Sequence, residues 1–448
     1  MIRAFATVGL WTMISRVLGF VRDILIAAFL GAGPVAEAFV IAFSLPNMFR
    51  RFFAEGAFNM AFVPLFSKKL EAGQGAEDFA RDALTGLALI LILFTTLCLF
   101  AMPWLVLAMA SGFRGDERFD HAVLYGRIAF PYILFISLAA LASGVLNASG
   151  RFVAAAAAPA LLNVLFIAAL FLGASAGFDV GLTLAWAVPV AGIAQLALVW
   201  VAARRAGFSL VPRLPRMTPE LHRLAIIAAP AALAGGVVQV NLLVGRQVAS
   251  YFEGAAAWLY YADRLYQLPL GVVGIAIGIV LLPDLSRRLA ADDTAGGQHA
   301  FSRATEISLA LTIPAALALI VIPLPLVSVL FERGAFEASD ALPTALATAI
   351  YGAGLPAFVL QKVLQPLYFA REDTRSPFRF AVLAMVINAA LAIGLAPLVG
   401  FSAAALAATA AGWAMTWLLW RGSRGMGQAA MLDDEAKARL PRIIAASL

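Results

Sequence analysis

The 448-residue chain is 62% hydrophobic and only 13% charged, which excludes a soluble globular domain, whose mix is roughly half apolar and one quarter charged. The net charge of +6 comes without a nucleic-acid-binding motif, so no nucleic acid is expected as a partner. The single cysteine, Cys98, excludes an intrachain disulfide and a cysteine-based metal site, and no cofactor or metal is expected. The expected class is an all-α polytopic membrane protein.

Spans of about 20 apolar residues are predicted near residues 18, 45, 95, 133, 163, 190, 236, 270, 316, 353, 385 and 410. The first holds "ISRVLGFVRD", with Ser15, Arg16, Gly19, Arg22 and Asp23. Arginines inside this apolar run argue against a cleaved signal, which needs an uninterrupted apolar core. At about 100° per residue, Arg16 and Asp23 fall on one face two turns apart, whereas Arg22 points about 120° away from Arg16. A bend at Gly19 would bring both arginines to one cavity.

The second span runs into "LPNMFRRFFAEGAF". Arg51 and Glu55 form an i,i+4 pair that reads as structural neutralisation, and Asn47 and Arg50 share a face one turn apart, just after Pro46. Farther along, Arg127 is read as snorkelling to an interface, and Arg246 of the seventh span is paired with Glu37 of the second. In the eighth span Asp263 and Arg264 diverge by about 100°, so Arg264 is expected to face a cavity while Asp263 bonds a neighbouring helix. Lys362, between Gln361 and Gln365, reads as cavity lining. His121, His222 and His299 all fall in predicted loops without a partnering acid motif, so no catalytic residue is assigned.

Two sums over the charges matter. The spans carry eight basic groups (Arg16, Arg22, Arg50, Arg51, Arg127, Arg246, Arg264, Lys362) and four acids (Asp23, Glu37, Glu55, Asp263). Exposed to lipid they would cost on the order of 30 kcal/mol, so they must face one another or a wet cavity. Pairing leaves four positive charges over, a surplus that asks for an anionic substrate. Of the other 24 Lys and Arg, 21 fall at the N-terminus and in even-numbered loops and three in odd-numbered loops, which predicts a cytoplasmic N-terminus.

The chain also repeats itself. "VPLFSKKL" (63–70) aligns with "LPDLSRRL" (282–289), and the region of Asn163 aligns with that of Asn388. Six spans separate the copies, so the halves should be two like-oriented six-helix bundles related by a pseudo-twofold axis along the membrane normal, around a central cavity. The expected division is an N-terminal lobe over 1–205, a basic cytoplasmic linker over 206–222 and a C-terminal lobe over 223–448. The final "LPRIIAASL" reads as the start of a thirteenth span, cut short at Leu448.

"SRVLGFVRD", "LPNMFRRFFAEGAF" and "WLYYADRLYQLPLGVVGIAIGIVLLPDLS" resemble the signature segments of the MurJ (MviN) lipid II flippases, in the multidrug/oligosaccharidyl-lipid/polysaccharide exporter superfamily. The resemblance covers essentially the whole chain. It implies alternating-access transport of lipid II, the undecaprenyl-pyrophosphate-linked disaccharide-pentapeptide, across the bacterial inner membrane for cell-wall synthesis. Membrane lipids and the cell-wall synthesis machinery are the other partners it implies. Arg16, Arg22, Asn47, Arg50 and Arg264 would bind the pyrophosphate, since guanidinium forks match phosphate oxygens. Ser15, Gly19, Asp23, Glu37, Arg51, Glu55, Asp263, Arg246 and Lys362 would support them. Glu37 stands where that family more often has Asp. Two other readings are another exporter of the superfamily and a membrane enzyme acting on lipid-linked phosphates.

Overall fold

The structure, a computed structural model, describes residues 2–50, 57–73, 75–214, 216 and 218–447; the side chains of 2–6, 57–60, 228–242 and 274–280 fall outside the description. Its regular structure is helical throughout the described residues, as a bilayer demands, because only a helix satisfies its own backbone there without neighbouring strands. The helices are α1 (Ile2–Leu30), α2 (Pro34–Arg50), α3 (Ala57–Glu71), α4 (Ala76–Phe100), α5 (Met102–Met109), α6 (Glu117–Ala129), α7 (Tyr132–Ala148), α8 (Val153–Ala176) and α9 (Val180–Arg205). They continue as α10 (Pro219–Ala249), α11 (Ala255–Ala290), α12 (Thr294–Val321), α13 (Pro323–Phe331), α14 (Ala338–Phe369), α15 (Arg375–Val399), α16 (Ser402–Ser423) and α17 (Asp434–Ser447).

Eight stretches among the described residues are long and apolar enough to cross a membrane: α4, α6 with α7, α8, α9, α12, α14, α15 and α16. They coincide with eight of the twelve expected spans. The other four fall on α1, α2, α10 and α11, which carry Arg16, Arg22, Arg50, Arg246 and Arg264. The chain is an all-α polytopic membrane protein. Residues 440–447, expected to open a thirteenth span, form the second half of α17, a helix whose Ala436 is buried while most of its second half is exposed.

The internal repeat reappears in the order of elements. α4 and the short α5, with a proline in its first turn, are followed by α6–α7, α8 and α9; α12 and the short α13, again with an N-terminal proline, are followed by α14, α15 and α16. Asn163 on α8 and Asn388 on α15 are both buried. The chain separates into two compact units, Met1–Val240 with Arg333–Phe336, and Asn241–Glu332 with Glu337–Leu448.

Within the first unit α8 packs on α1 and α9, α7 on α9, and α2 on α6. The end of α1 is shaped by Gly31 at φ +66°, whose N–H closes on Ala27 O at 2.8 Å in a left-handed cap that glycine adopts without a Cβ penalty. Next to it, Ala335 N donates to Ala28 O at 2.8 Å, and Gly334 has φ +63°. A Cβ on Gly31 would overlap Ala335 O, and one on Gly334 would overlap Ala28 O, so two backbones meet here at a distance only glycine permits.

The basic stretch after α9 is strapped to α4. Arg213 donates to Asp82 Oδ1 at 2.6 Å and Oδ2 at 2.5 Å and to Asp78 Oδ1 at 2.7 Å, while Arg81 donates to Ser209 O at 2.7 Å. Leu210 is buried beneath these bonds. The Asp82 carboxylate, with Asp78 behind it, raises the Arg213 guanidinium above its ordinary range.

In the second unit α14 packs on α11, α12 and α16, and α16 on α15. Small residues let α14 and α16 approach, and polar side chains bond across them: Thr416 to Ala357 O at 2.9 Å, Gln361 to Gly412 O at 2.9 Å and Tyr368 to Leu419 O at 2.6 Å.

Candidate functional site

The charged residues of the spans are divided between the two units, and each is described within its own unit. α1 runs unbroken through Gly19. Gly19 is the point where α8 comes close: a Cβ there would lie 3.4 Å from Asn163 Nδ2. Asn163 donates to Ser15 O at 2.8 Å and accepts from Arg22 Nη1 at 2.9 Å. Arg22 turns its Nε and Nη2 onto Asp23 Oδ1, at 3.0 and 2.7 Å, and lies 5.5 Å from the Phe166 ring and 6.0 Å from the Phe43 ring. At 8% exposure Arg22 is inside the helix bundle, its charge matched by Asp23. The expected bend that brings Arg16 and Arg22 to one cavity is replaced by a division of roles on one helix. Arg16 is half-buried, with no ion pair or hydrogen bond among the described residues.

Glu37 is fully buried and pairs with Arg118 at 3.1 Å within the first unit. Arg118 stands in the first turn of α6, where the Asp116 carboxylate caps the helix through Arg118 N at 2.7 Å and pairs with the Arg118 guanidinium at 2.6 Å. The guanidinium also lies 4.5 Å from the Phe113 ring centroid. An Asp116–Arg118–Glu37 chain of charges therefore ties the start of α6 to the first turns of α2. The helix extends farther than hydropathy suggested because its first turn is polar but well capped.

α2 ends on the other candidate cation. Pro46 removes one backbone donor from the helix, and Asn47 turns its Nδ2 back onto Phe43 O at 2.8 Å, so its amide is engaged within α2. Phe49 stacks edge-on against Phe94 at 5.0 Å and Phe130 at 5.7 Å, which fixes the last turn of α2, where Arg50 is half-buried. Arg51 and Glu55 lie outside the described residues.

In the second unit Asp263 accepts from Gln267 and Tyr266, both of its own helix α11, rather than from a neighbouring one. Donors at i+3 and i+4 reach it without crossing between helices. Arg246 of α10 and Arg264 lie within electrostatic range of this carboxylate, so Arg246 has its acidic neighbour in its own unit. The Tyr266 ring packs in tilted contact with those of Tyr351 at 5.2 Å and Phe358 at 5.7 Å, which places α14 behind Asp263. The Arg264 guanidinium sits 4.5 Å from the Tyr260 ring centroid, one turn earlier, a cation–π contact that aims it along the helix. Lys362 is exposed and without a polar partner among the described residues.

The histidines are on helices rather than in loops: His121 stacks on Tyr125 in α6, His222 is in α10, and His299 in α12 lies 3.4 Å from Asp433. Among the described residues no three His, Cys, Asp or Glu side chains gather as a metal site requires. What the arrangement offers is fixed guanidinium charge for an anion. Sequence reasoning missed Asn163 and Arg118 as organisers of it; the signal for Asn163 was an amide in the middle of an apolar span, where a polar group must find a partner.

The family described as "Lipid II flippase MurJ" matches residues 26–440. The chain is 48% identical to a probable lipid II flippase MurJ of Rhizobium tropici, over 92% of this chain and 79% of that one. It is 46% identical to the corresponding protein of Rhizobium meliloti (strain 1021), over 100% of this chain and 85% of that one. Among solved structures, one titled "Lipid II flippase MurJ, inward closed conformation" superposes with a TM-score of 0.84 at 26% identity, over 98% of this chain and 90% of that one. A multidrug resistance MATE family transporter of the MOP superfamily, in an inward-facing conformation, superposes with a TM-score of 0.74 at 14% identity, which shows a shared fold. The chain belongs to the MurJ lipid II flippase family.

Proposed function

We propose that this protein is a transporter, not an enzyme, that moves lipid II from the cytoplasmic to the periplasmic leaflet of the bacterial inner membrane by alternating access, supplying the cell-wall synthesis machinery. The observation that carries the reading is the contrast on α1: Arg22 is matched by Asp23 and Asn163, whereas Arg16 keeps its charge without a partner among the described residues. A guanidinium held half out of water needs a counter-charge, and a pyrophosphate supplies one with the geometry of its oxygens. Arg16 and Arg50 from the first unit and Arg264 from the second are the proposed pyrophosphate ligands. Arg22, Asn47, Asp23, Glu37 and Asp263 position the helices that carry them. The excess of basic residues in alternate loops supports a cytoplasmic N-terminus and a linker on the same side.

The test is the sidedness of lipid II in proteoliposomes. Arg16→Ala, Arg50→Ala and Arg264→Ala each abolish its movement while inserting normally, and Arg→Lys rescues poorly because a point charge lacks the fork. Normal transport by all three alanine variants at equal expression would refute the assignment. Orientation is read separately after Cys98→Ser: Ser175→Cys labels with an impermeant thiol reagent from outside the cell, and Ala295→Cys labels only after permeabilisation. The reverse pattern would invert the topology.

A further inference from the structure

The first unit contains a groove of about 1380 Å³ that none of the charged residues above enters. Trp11 of α1, Ala154 and Ala157 of α8, and Ala197 and Val201 of α9 form its walls. The alanines leave the space: α1 and α9 both pack on α8, and methyl side chains along α8 and α9 keep the gap between them open. The volume exceeds the roughly 300–1,000 Å³ of pockets built for small ligands. Its walls are apolar, and Val153 and Val201 are 58% and 46% exposed.

Two guanidiniums line the same groove. Arg151 stands in the turn before α8 and Arg205 is the last residue of α9, so both belong to the same end of the helix bundle. Both are exposed, and neither has an ion pair or side-chain hydrogen bond among the described residues. Phe152 and Trp11 add aromatic rings, which favour the boundary between hydrocarbon and head groups. The lining holds no carboxylate and no amide side chain, and Thr7 is its sole hydroxyl. Away from the two arginines and Thr7 the lining is apolar, which suits acyl chains better than a saccharide or a peptide.

We propose that this groove is a binding site for an anionic phospholipid of the bilayer, with the acyl chains along α8 and α9 and the phosphate held between Arg151 and Arg205. The chemistry fits basic pockets between membrane helices, which capture anionic head groups on the cytoplasmic face. An apolar volume of lipid size and paired cations at one end match a molecule that is apolar along its length and anionic at its head. A polyprenyl pyrophosphate would share the anion, but its saccharide and peptide would find few polar partners beyond Thr7 once the arginines hold the phosphates. The site is distinct from the proposed pyrophosphate ligands, and its test does not depend on what the protein transports.

The experiment is native mass spectrometry of the detergent-purified chain titrated with phosphatidylglycerol or phosphatidylcholine of identical acyl chains, with inorganic pyrophosphate as competitor. The wild type is expected to retain phosphatidylglycerol about 30-fold more strongly, the equivalent of about 1 kcal/mol per guanidinium. Arg151→Gln with Arg205→Gln abolishes that preference while leaving weak binding of both lipids. Ala197→Trp, which fills the groove, reduces retention of both, and circular dichroism confirms that the variants are folded. Equal retention of the two lipids by the wild type, or a preference that survives loss of both arginines, would overturn the proposal. So would displacement of the lipid by pyrophosphate at equal concentration, which would mark a simple anion site.

Discussion

The side-chain amide of Asn163 bridges Ser15 and Arg22, two positions almost two turns apart on α1, through bonds of 2.8 and 2.9 Å. One residue of α8 thus fixes the height and rotation of the helix that carries Arg16. Asn163→Leu leaves a buried guanidinium donor and a carbonyl without that partner, a loss of about 1–3 kcal/mol, read as a lower midpoint of thermal unfolding in detergent. At Gly19 the space admits one methyl group, so Gly19→Ala is close to neutral, whereas Gly19→Val displaces Asn163 and reproduces most of its loss. Equal stability of the alanine and valine variants would show that α8 does not approach α1 so closely.

The Glu37–Arg118 pair makes a stronger prediction because Glu37 is completely buried. Removing one partner of a buried ion pair leaves an uncompensated charge, which costs about 3–5 kcal/mol. Glu37→Ala falls at the lower end of that range, since Asp116 still engages Arg118. Glu37→Asp retains the charge but shortens the reach to Arg118, and it gives an intermediate unfolding midpoint. A Glu37→Ala variant as stable as the wild type would remove the pair from the scaffold.

The strap on α4 is testable by proteolysis. Phe208, which packs on Phe66 at 5.9 Å, and the buried Leu210 are sites for chymotrypsin that the strap protects. Arg213→Ala releases Asp78 and Asp82 and speeds cleavage there. Because its acidic neighbours raise the Arg213 guanidinium, the cation persists at every accessible pH, and protection in the wild type does not fall between pH 7 and 10. Protection that survives Arg213→Ala would assign the strap to Arg81 and Ser209 alone.

At the start of α17 the pH dependence has the opposite character. The Asp433 carboxylate accepts from Ala436 N at 2.7 Å, and this backbone donor, helped by His299, holds its pKa below the usual carboxylate value. A depressed folded pKa stabilises above the unfolded value of about 3.9 and the contribution vanishes as pH falls through the folded one. Hydrogen exchange at Ala436 and Lys437 is therefore slow at pH 5 and accelerates, relative to intrinsic rates, below about pH 4. In Asp433→Asn that acid-dependent step disappears. An unchanged step in the variant would place the titrating group elsewhere.

Much of the architecture was legible in the sequence because a span has to be apolar over its whole length, and the eight described stretches long and apolar enough to cross a membrane lie where hydropathy places them. The charged positions within the spans were legible in the sequence, but their pairings were not. A helical wheel puts Arg22 and Asp23 100° apart, yet a long guanidinium folds back over one residue and reaches its neighbour. Glu37 found Arg118, 81 residues away, because a capped polar turn extends α6 past its apolar core, and no periodicity marks such an extension. Asp263 was expected to bond a neighbouring helix because it diverges by about 100° from Arg264, yet donors at i+3 and i+4 of its own helix, Tyr266 and Gln267, reach it first.

The meeting of Gly31 and Gly334 carries a lesson for anyone who divides the gene. The first unit is not one continuous stretch of chain: Arg333–Phe336 belongs to it, joined by the bond from Ala335 N to Ala28 O. A fragment ended within or just after the linker would lose four residues encoded far downstream and leave the last turn of α1 with a carbonyl whose donor is missing. Two halves expressed as separate polypeptides would have to restore that bond between chains. A split made there would so test complementation in trans, with Gly31 in one half and Gly334 in the other as positions where a side chain would overlap the opposite backbone.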